Sequence, residues 1–169
     1  MAAYLKQTPM GFPGDITRSD VSNVEAKMLL AVATVFPQAF GVPMVYGVGG
    51  VQVFGASNVA VDFAGILVRE VPAIAASSAA DLVSFPTAPN PKQPTGLMVR
   101  GYMAVLCPFG TPAAGGIVYV RTVANGNGVV GDFNATADGA NSVALSATQA
   151  IWNTDGKDVN GVAEIRVYR

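Results

Sequence analysis

The sequence contains no histidine and a single cysteine, Cys107, so the side chains most often used for catalysis and metal binding are nearly missing. Without histidine, a nucleophile would need lysine or a carboxylate as its base. Cys107 lies in an apolar run, which would raise the pKa of its thiol and make it unreactive. One cysteine also excludes an internal disulfide framework. We therefore predict that the protein is not an enzyme and holds no cofactor and no metal.

Charge is also scarce. Asp, Glu, Lys and Arg make up 12% of the 169 residues, with a net charge of −1, and this is about half the usual charged share of a soluble domain. No basic run is present that would bind nucleic acid. Two uncharged stretches, 28–61 and 101–120, are interrupted by proline and glycine, so neither can form one membrane-spanning helix. The sequence therefore predicts neither nucleic-acid nor membrane partners.

The chain is nevertheless apolar, with 51% hydrophobic residues and a mean hydropathy of +0.41. A free monomer of 17.3 kDa would normally present a more polar surface than this composition supplies. We therefore predict that other protein covers much of the surface. Part of that cover is expected to be further copies of the chain, as a homodimer or homotrimer.

Nineteen glycines and eleven prolines separate short apolar runs, a pattern typical of strands joined by turns. The run 97–107 is apolar on both alternating faces, and Gly101 within it indicates a bulge or a close backbone approach. About eight such runs predict an all-β, jelly-roll-like β-sandwich over residues 44–169. Residues 1–43, with little periodicity, are predicted to form an extended N-terminal arm that packs on partners. Only residues 19–33 have a helical pattern, with Asp20 near a possible N-cap.

Two loops resemble ligand sites but favour structural interpretations. The glycine-rich segment 46–51 precedes a strand-like run, whereas a phosphate-binding loop precedes a helix, so a hairpin turn is favoured. Asp132, Asn134, Asp138 and Asn141 offer oxygen ligands, but their spacing lacks the pattern of a calcium-binding helix–loop–helix. A polar surface loop is favoured there.

Several segments together resemble the structural cement proteins of tailed bacteriophages. The opening motif is Phe12-Pro13-Gly14-Asp15-Ile16-Thr17-Arg18. Five further similar segments follow in order over nearly the whole chain, at residues 40–44, 65–72, 99–105, 116–121 and 163–166. The resemblance implies a β-sandwich of jelly-roll type with an extended arm. It also implies a virion protein, made in the host cytoplasm, that binds the outer capsid surface and cements neighbouring major capsid protein subunits against internal pressure.

The predicted interface combines this motif with cationic and aromatic residues of the apolar strands, where Arg suits partly desolvated contacts. Asp15 and Arg18 are expected to contact each other or the capsid. Arg121, Arg166 and Trp152 are further candidates, with pairing or packing inside the domain as the alternative. The predicted interface residues are Phe12, Pro13, Gly14, Asp15, Ile16, Thr17, Arg18, Phe40, Arg69, Arg100 and Tyr102.

One alternative function is left open by the sequence. A head-fibre or tail-fibre adhesive β-domain, with a glycan-binding or host-binding face, would have a similar composition. The two functions differ in copy number, since a cement protein should be present at a level comparable to the major capsid protein.

Overall fold

The computed structural model describes residues 10–30, 37–69 and 94–169. Within those ranges the chain forms ten β-strands and three short 3-10 turns, with no α-helix. No helix there is long and apolar enough to cross a membrane. The 3-10 turns are Ser19–Val21, Ala60–Asp62 and Gly139–Asn141. The strands are β1 (Asn23–Met28), β2 (Pro43–Gly47), β3 (Gly50–Val53), β4 (Phe63–Leu67), β5 (Pro94–Leu106), β6 (Tyr119–Arg121), β7 (Phe133–Asn134), β8 (Ser142–Ala144), β9 (Ala150–Trp152) and β10 (Val162–Tyr168).

The larger sheet is antiparallel and is organised around the long strand β5. Its order is β3-β2-β4-β5-β10-β9, and β1 also pairs with β5. Beyond β1, Leu29 forms a bridge with Val51 of β3, so the sheet curls back towards its own edge. This curl encloses a small apolar cluster that includes Phe40, Met44 and Leu97.

A smaller sheet, with the order β7-β6-β8, shares the main core with the larger one. Val120 and Phe133 of the small sheet and Met103 and Ile165 of the large sheet belong to one buried cluster. The alternation of apolar and polar side chains along β10 predicts one buried face. Ile165 and Val167 are indeed buried, while Arg166 and Tyr168 are half-exposed. The prediction of a mainly β fold is therefore confirmed.

The predicted helix over residues 19–33 is wrong. Ser19–Val21 form a 3-10 turn and Asn23–Met28 form β1, while residues 31–33 lie outside the described ranges. Val24 and Met28 are four residues apart, which resembles a helical stripe, but β1 pairs along β5 from Arg100 to Pro94. Strand pairing supplies the backbone hydrogen bonds here, and tertiary context commonly overrides a weak helical preference.

The glycine-rich segment forms the predicted hairpin turn. Gly47 of β2 pairs with Gly50 of β3, which leaves Val48 and Gly49 as a two-residue connection. Gly49 has φ +86°, a conformation that glycine adopts without steric cost. The segment therefore connects two strands and does not have the strand–loop–helix arrangement of a nucleotide site.

Gly101 is the site of a close backbone approach, as the sequence predicts. Its φ is +131°, and a Cβ placed there would lie 2.7 Å from the Cα of Ser22. The missing side chain lets the segment before β1 cross directly over β5. Both the backbone conformation and the space require glycine at this position.

We expect Gly101→Ala to lower the free energy of unfolding by about 2–4 kcal/mol, because it combines backbone strain with crowding against Ser22. The matched control is Gly115→Ala, which has φ +77° but no atom within 4 Å of the added Cβ. The control should lower the free energy of unfolding by only about 1 kcal/mol, because it adds the cost of the positive φ without crowding. Urea unfolding of both variants measures the difference in their free energies of unfolding. Equal losses at Gly101 and Gly115 would contradict the close approach of Ser22 to Gly101.

Candidate protein interface

The opening motif begins with a tight turn. The Phe12 N–H donates to Asp15 Oδ2 at 2.9 Å, and the Asp15 N–H donates back to the Phe12 carbonyl at 3.0 Å. Pro13 and Gly14 occupy the two central positions, and Gly14 has φ +92°. Proline followed by a positive-φ glycine is typical of a type II turn, so the order of these four residues determines the local shape.

After the turn, residues 14–17 run along β5. The Gly14 and Thr17 N–H groups donate to the carbonyls of Ala104 and Tyr102, and the Ala104 N–H donates to the Asp15 carbonyl. Ile16 forms an antiparallel bridge with Met103 and packs against the main core. This part of the predicted arm is thus joined to the sheet of its own chain. Whether residues 1–43 also pack on a partner stays a prediction, and residues 1–9 and 31–36 lie outside the described ranges.

Arg69 connects the residues in the first half of the candidate interface. Its guanidinium carbon lies 5.0 Å from the centroid of the Phe12 ring and 5.6 Å from that of Phe40, within cation–π range. It also forms an ion pair with Asp15 at 3.6 Å, and its Nε donates to the Pro13 carbonyl at 3.3 Å. Phe12 remains 66% exposed. We call these four side chains, Phe12, Asp15, Phe40 and Arg69, the Phe12 cluster.

Glu164 of β10 connects the residues in the second half of the candidate interface. Thr17 Oγ1 donates to its carboxylate at 2.5 Å, Arg18 Nη2 donates at 3.3 Å, and Asn153 Nδ2 donates to the same group. Glu164 is itself buried. A buried carboxylate is tolerated when it is paired and hydrogen-bonded, and this one connects the end of the motif to β10.

Arginine and tyrosine alternate on the face beside Glu164. Arg18 lies 4.2 Å from the centroid of the Tyr102 ring, and Arg166 lies 5.2 Å from Tyr102 and 4.5 Å from Tyr168. Tyr102 pairs across the strands with Arg166, and Arg100 pairs with Tyr168. We call these five residues the Arg–Tyr ladder.

The structure thus brings the predicted interface residues together, although they come from distant parts of the chain. Asp15 and Arg18 do not contact each other, because Asp15 pairs with Arg69 and Arg18 with Glu164. Sequence reasoning identified Glu164 only as part of a family-like segment, and it missed Tyr168. The alternation of β10 placed residues 164, 166 and 168 on one face, but their partners depend on the register with β5.

Two further candidates are core residues and not interface residues. Trp152 and Arg121 are completely buried, which favours the alternative that they pair or pack inside the domain. Trp152 belongs to the main core cluster. Arg121 forms an ion pair with Asp138 at 2.6 Å, and a cation at that carboxylate disfavours binding of a metal ion. No group of metal-ligating side chains occurs within the described ranges.

Cys107 is buried, and that burial raises the pKa of its thiol. The thiol therefore has the low reactivity expected from its apolar neighbours. Asp158 behaves differently: burial alone would raise the pKa of its carboxyl, but the N–H groups of Val162, Met10 and Asn160 outweigh that effect and lower it. Because one of these donors belongs to Met10, Asp158 also holds the start of the described N-terminal segment.

Comparisons with known proteins identify the family of this chain. The family described as "Structural cement protein (E217 gp24/Pam3 gp6)" matches residues 2–168. A chain in the solved structure "The capsid of Myoviridae Phage XM1" is similar in fold, with a TM-score of 0.69 at 15% identity, over 97% of this chain and 94% of that chain. No curated protein matches. Because the family match spans nearly the whole chain, this protein belongs to the phage structural cement protein family and is a non-enzymatic structural component of the virion capsid.

Proposed function

We propose that this cement protein binds the outer surface of the capsid and joins neighbouring subunits of the major capsid protein, so that the shell resists the pressure of packaged DNA. The observation that carries the proposal is the continuous surface along residues 12–18. It combines an exposed aromatic ring, Phe12, with the exposed cations Arg18 and Arg100. Aromatic residues and arginine are enriched at protein interfaces.

The mechanism is one of differential binding. A protein that contacts two capsid subunits at once binds the intact joint and loses part of its contacts when the joint opens. Ligands that bind one state stabilise that state by mass action. Because the contacts repeat over the shell, each can be modest while the combined resistance to rupture is large.

We also propose that the protein associates with itself, as a homodimer or homotrimer. Several apolar side chains are exposed in loops and turns, among them Phe12, Val48, Val59 and Val61, and Val48 is completely exposed. The low charged fraction supports the same interpretation. Two antiparallel sheets that share a core are compatible with the jelly-roll-like sandwich implied by the family, which stays part of this proposal, as does the division into an arm (1–43) and a domain (44–169).

The test compares capsids with and without the protein. Particles that lack it should assemble but rupture at a lower temperature, by several degrees or more, because the contacts across subunit joints are missing. Release of DNA is followed by dye fluorescence during heating, in one buffer and at one salt concentration.

Adding the purified protein back to deficient particles is the control, and it should restore the original rupture temperature. Equal rupture temperatures with and without the protein would reject cementing. Failure of the protein to bind the particles at all would reject the whole proposal.

A further inference from the structure

A groove is lined in part by four residues of the Arg–Tyr ladder. It encloses about 400 Å³ and is lined by residues 20–23, 100–102 and 166–168. That volume is within the range of about 300–1,000 Å³ found for ligand pockets. The groove forms where the segment before β1 crosses β5 over Gly101, so its shape is set by backbone contacts.

The groove presents cations that form no ion pair within the described ranges. Arg100 is exposed and Arg166 is half-buried, and within the described ranges neither forms an ion pair or a side-chain hydrogen bond. Asp20 is the only acid among the lining residues, and no cation lies within ion-pair distance of it in the part of the chain that the structure describes. The remaining nearby cation, Arg18, is already paired with Glu164.

The rings orient Arg166 for binding. Its guanidinium carbon lies 5.2 Å from the centroid of the Tyr102 ring and 4.5 Å from that of Tyr168, within cation–π range. Because its N–H groups donate to no side chain within the described ranges, they remain available to an acceptor. A planar guanidinium with available donors matches a carboxylate in a bidentate geometry.

The capsid protein is the occupant that the family setting favours. Apart from Asp20, every acidic side chain in the described ranges already accepts a hydrogen bond or ion pair within its own chain. Since the protein belongs to a family of capsid components, we take the carboxylate to come from the capsid protein, and a carboxylate of a second copy is an outcome of the test.

We infer that the groove receives an acidic segment of the capsid protein, whose carboxylates are bound by Arg100 and Arg166. The inference rests on the proposed function, and it adds the position and the chemistry of one contact. Tyr102 and Tyr168 position Arg166, and Gly101 lets the chain before β1 cross β5 and form one wall of the groove.

The test measures binding of fluorescently labelled protein to particles that lack it. Arg100→Glu should raise the Kd tenfold or more, because it reverses an exposed charge at the contact. Lys27→Glu is the matched control, with the same charge change on β1 outside the groove lining, and it should change the Kd by less than about twofold. Arg166→Lys keeps the charge but loses the planar donors, so it should weaken binding by an intermediate factor. Melting curves check that each variant is folded.

A second measurement identifies the partner group. Amidation of the surface carboxylates of the particles should weaken binding of the unmodified protein. Its Kd should then be similar to that of Arg100→Glu. If the unmodified protein binds particles and Arg100→Glu binds equally well, the groove inference is wrong while the proposed function stands. If Arg100→Glu changes only the mass of the protein in light scattering, the groove is a contact between copies and the inference is also wrong. If the unmodified protein does not bind, the proposed function itself fails.

Discussion

Asp138→Asn is expected to lower Tm by roughly 10 °C, although it changes only one charge and almost no volume. Arg121 is completely buried, and its Nη1 lies 2.6 Å from Asp138 Oδ2. Nε and Nη2 of Arg121 have no hydrogen-bond partner among the residues that the structure describes. Removal of the carboxylate charge therefore takes away the ion pair of a buried cation and leaves it with the Asn125 Oδ1 acceptor and the charge of Asp132. A buried charge that loses its paired partner is strongly destabilising. Differential scanning calorimetry gives the Tm.

The double variant Asp138→Asn/Arg121→Met provides the control. Replacement of a whole buried pair by an apolar group is often nearly neutral, so it should recover most of the lost Tm. Arg121→Met alone should cost less than Asp138→Asn, because the Asp138 side chain is 18% exposed and can regain water. A double variant no more stable than Asp138→Asn would contradict this explanation.

Lowering the pH gives a further test of the Arg121–Asp138 ion pair. Hydrogen bonds from Asn125 and Arg121 lower the pKa of Asp138 below its ordinary value of 3.8. A carboxyl whose pKa is lowered on folding stabilises the protein above its unfolded pKa, and this contribution is lost as the pH falls through the folded pKa. The stability difference between the unmodified protein and Asp138→Asn should therefore be constant above about pH 5 and shrink below 3.8.

Trp152→Ala is the second variant with a large expected effect, a loss of about 3–5 kcal/mol. Trp152 is completely buried in the main core, on β9 and opposite Ile165 of β10. Alanine would leave a cavity between the two sheets, and the neighbouring strands limit how far the site can collapse. Urea unfolding measures the loss.

Trp152→Phe separates volume from hydrogen bonding. The Nε1 of Trp152 has no hydrogen-bond partner within the described part of the chain, so phenylalanine removes volume without breaking a hydrogen bond described there. It should cost less than half as much as alanine. Val48→Ala, at a completely exposed turn, should be within about 0.5 kcal/mol of the unmodified protein. If Trp152→Ala and Val48→Ala lowered the free energy of unfolding by comparable amounts, Trp152 would not be a core residue.

Much of the functional assignment followed from residue patterns. The ordered similarity that starts at Phe12 predicts the cement protein family, and the family match over residues 2–168 confirms it. The absence of histidine predicts a non-enzymatic protein, and the family is a structural one. The fibre alternative receives no support from that match. The interface residues, the self-association and the boundary at residue 43 stay predictions.

The site was only partly predictable, because its contacts depend on register. Arg18 and Glu164 are 146 residues apart, and they meet only because residues 14–17 and β10 both pair with β5. Asp15 is three residues from Arg18, yet it pairs with Arg69. Proximity in sequence favoured the wrong pair because the turn at Pro13–Gly14 directs the Asp15 side chain to a different neighbour.

The sequence by itself determined the β class, the family and the need for glycine at positions such as Gly101. These depend on local properties: side-chain alternation, turn chemistry and the absence of a Cβ. Only the tertiary structure decided that residues 23–28 are a strand, that Arg121 and Trp152 are buried, and that Arg100 and Arg166 line one groove without forming an ion pair in the described ranges. Burial and charge pairing depend on which distant strands lie side by side, and local preferences are too weak to specify that arrangement.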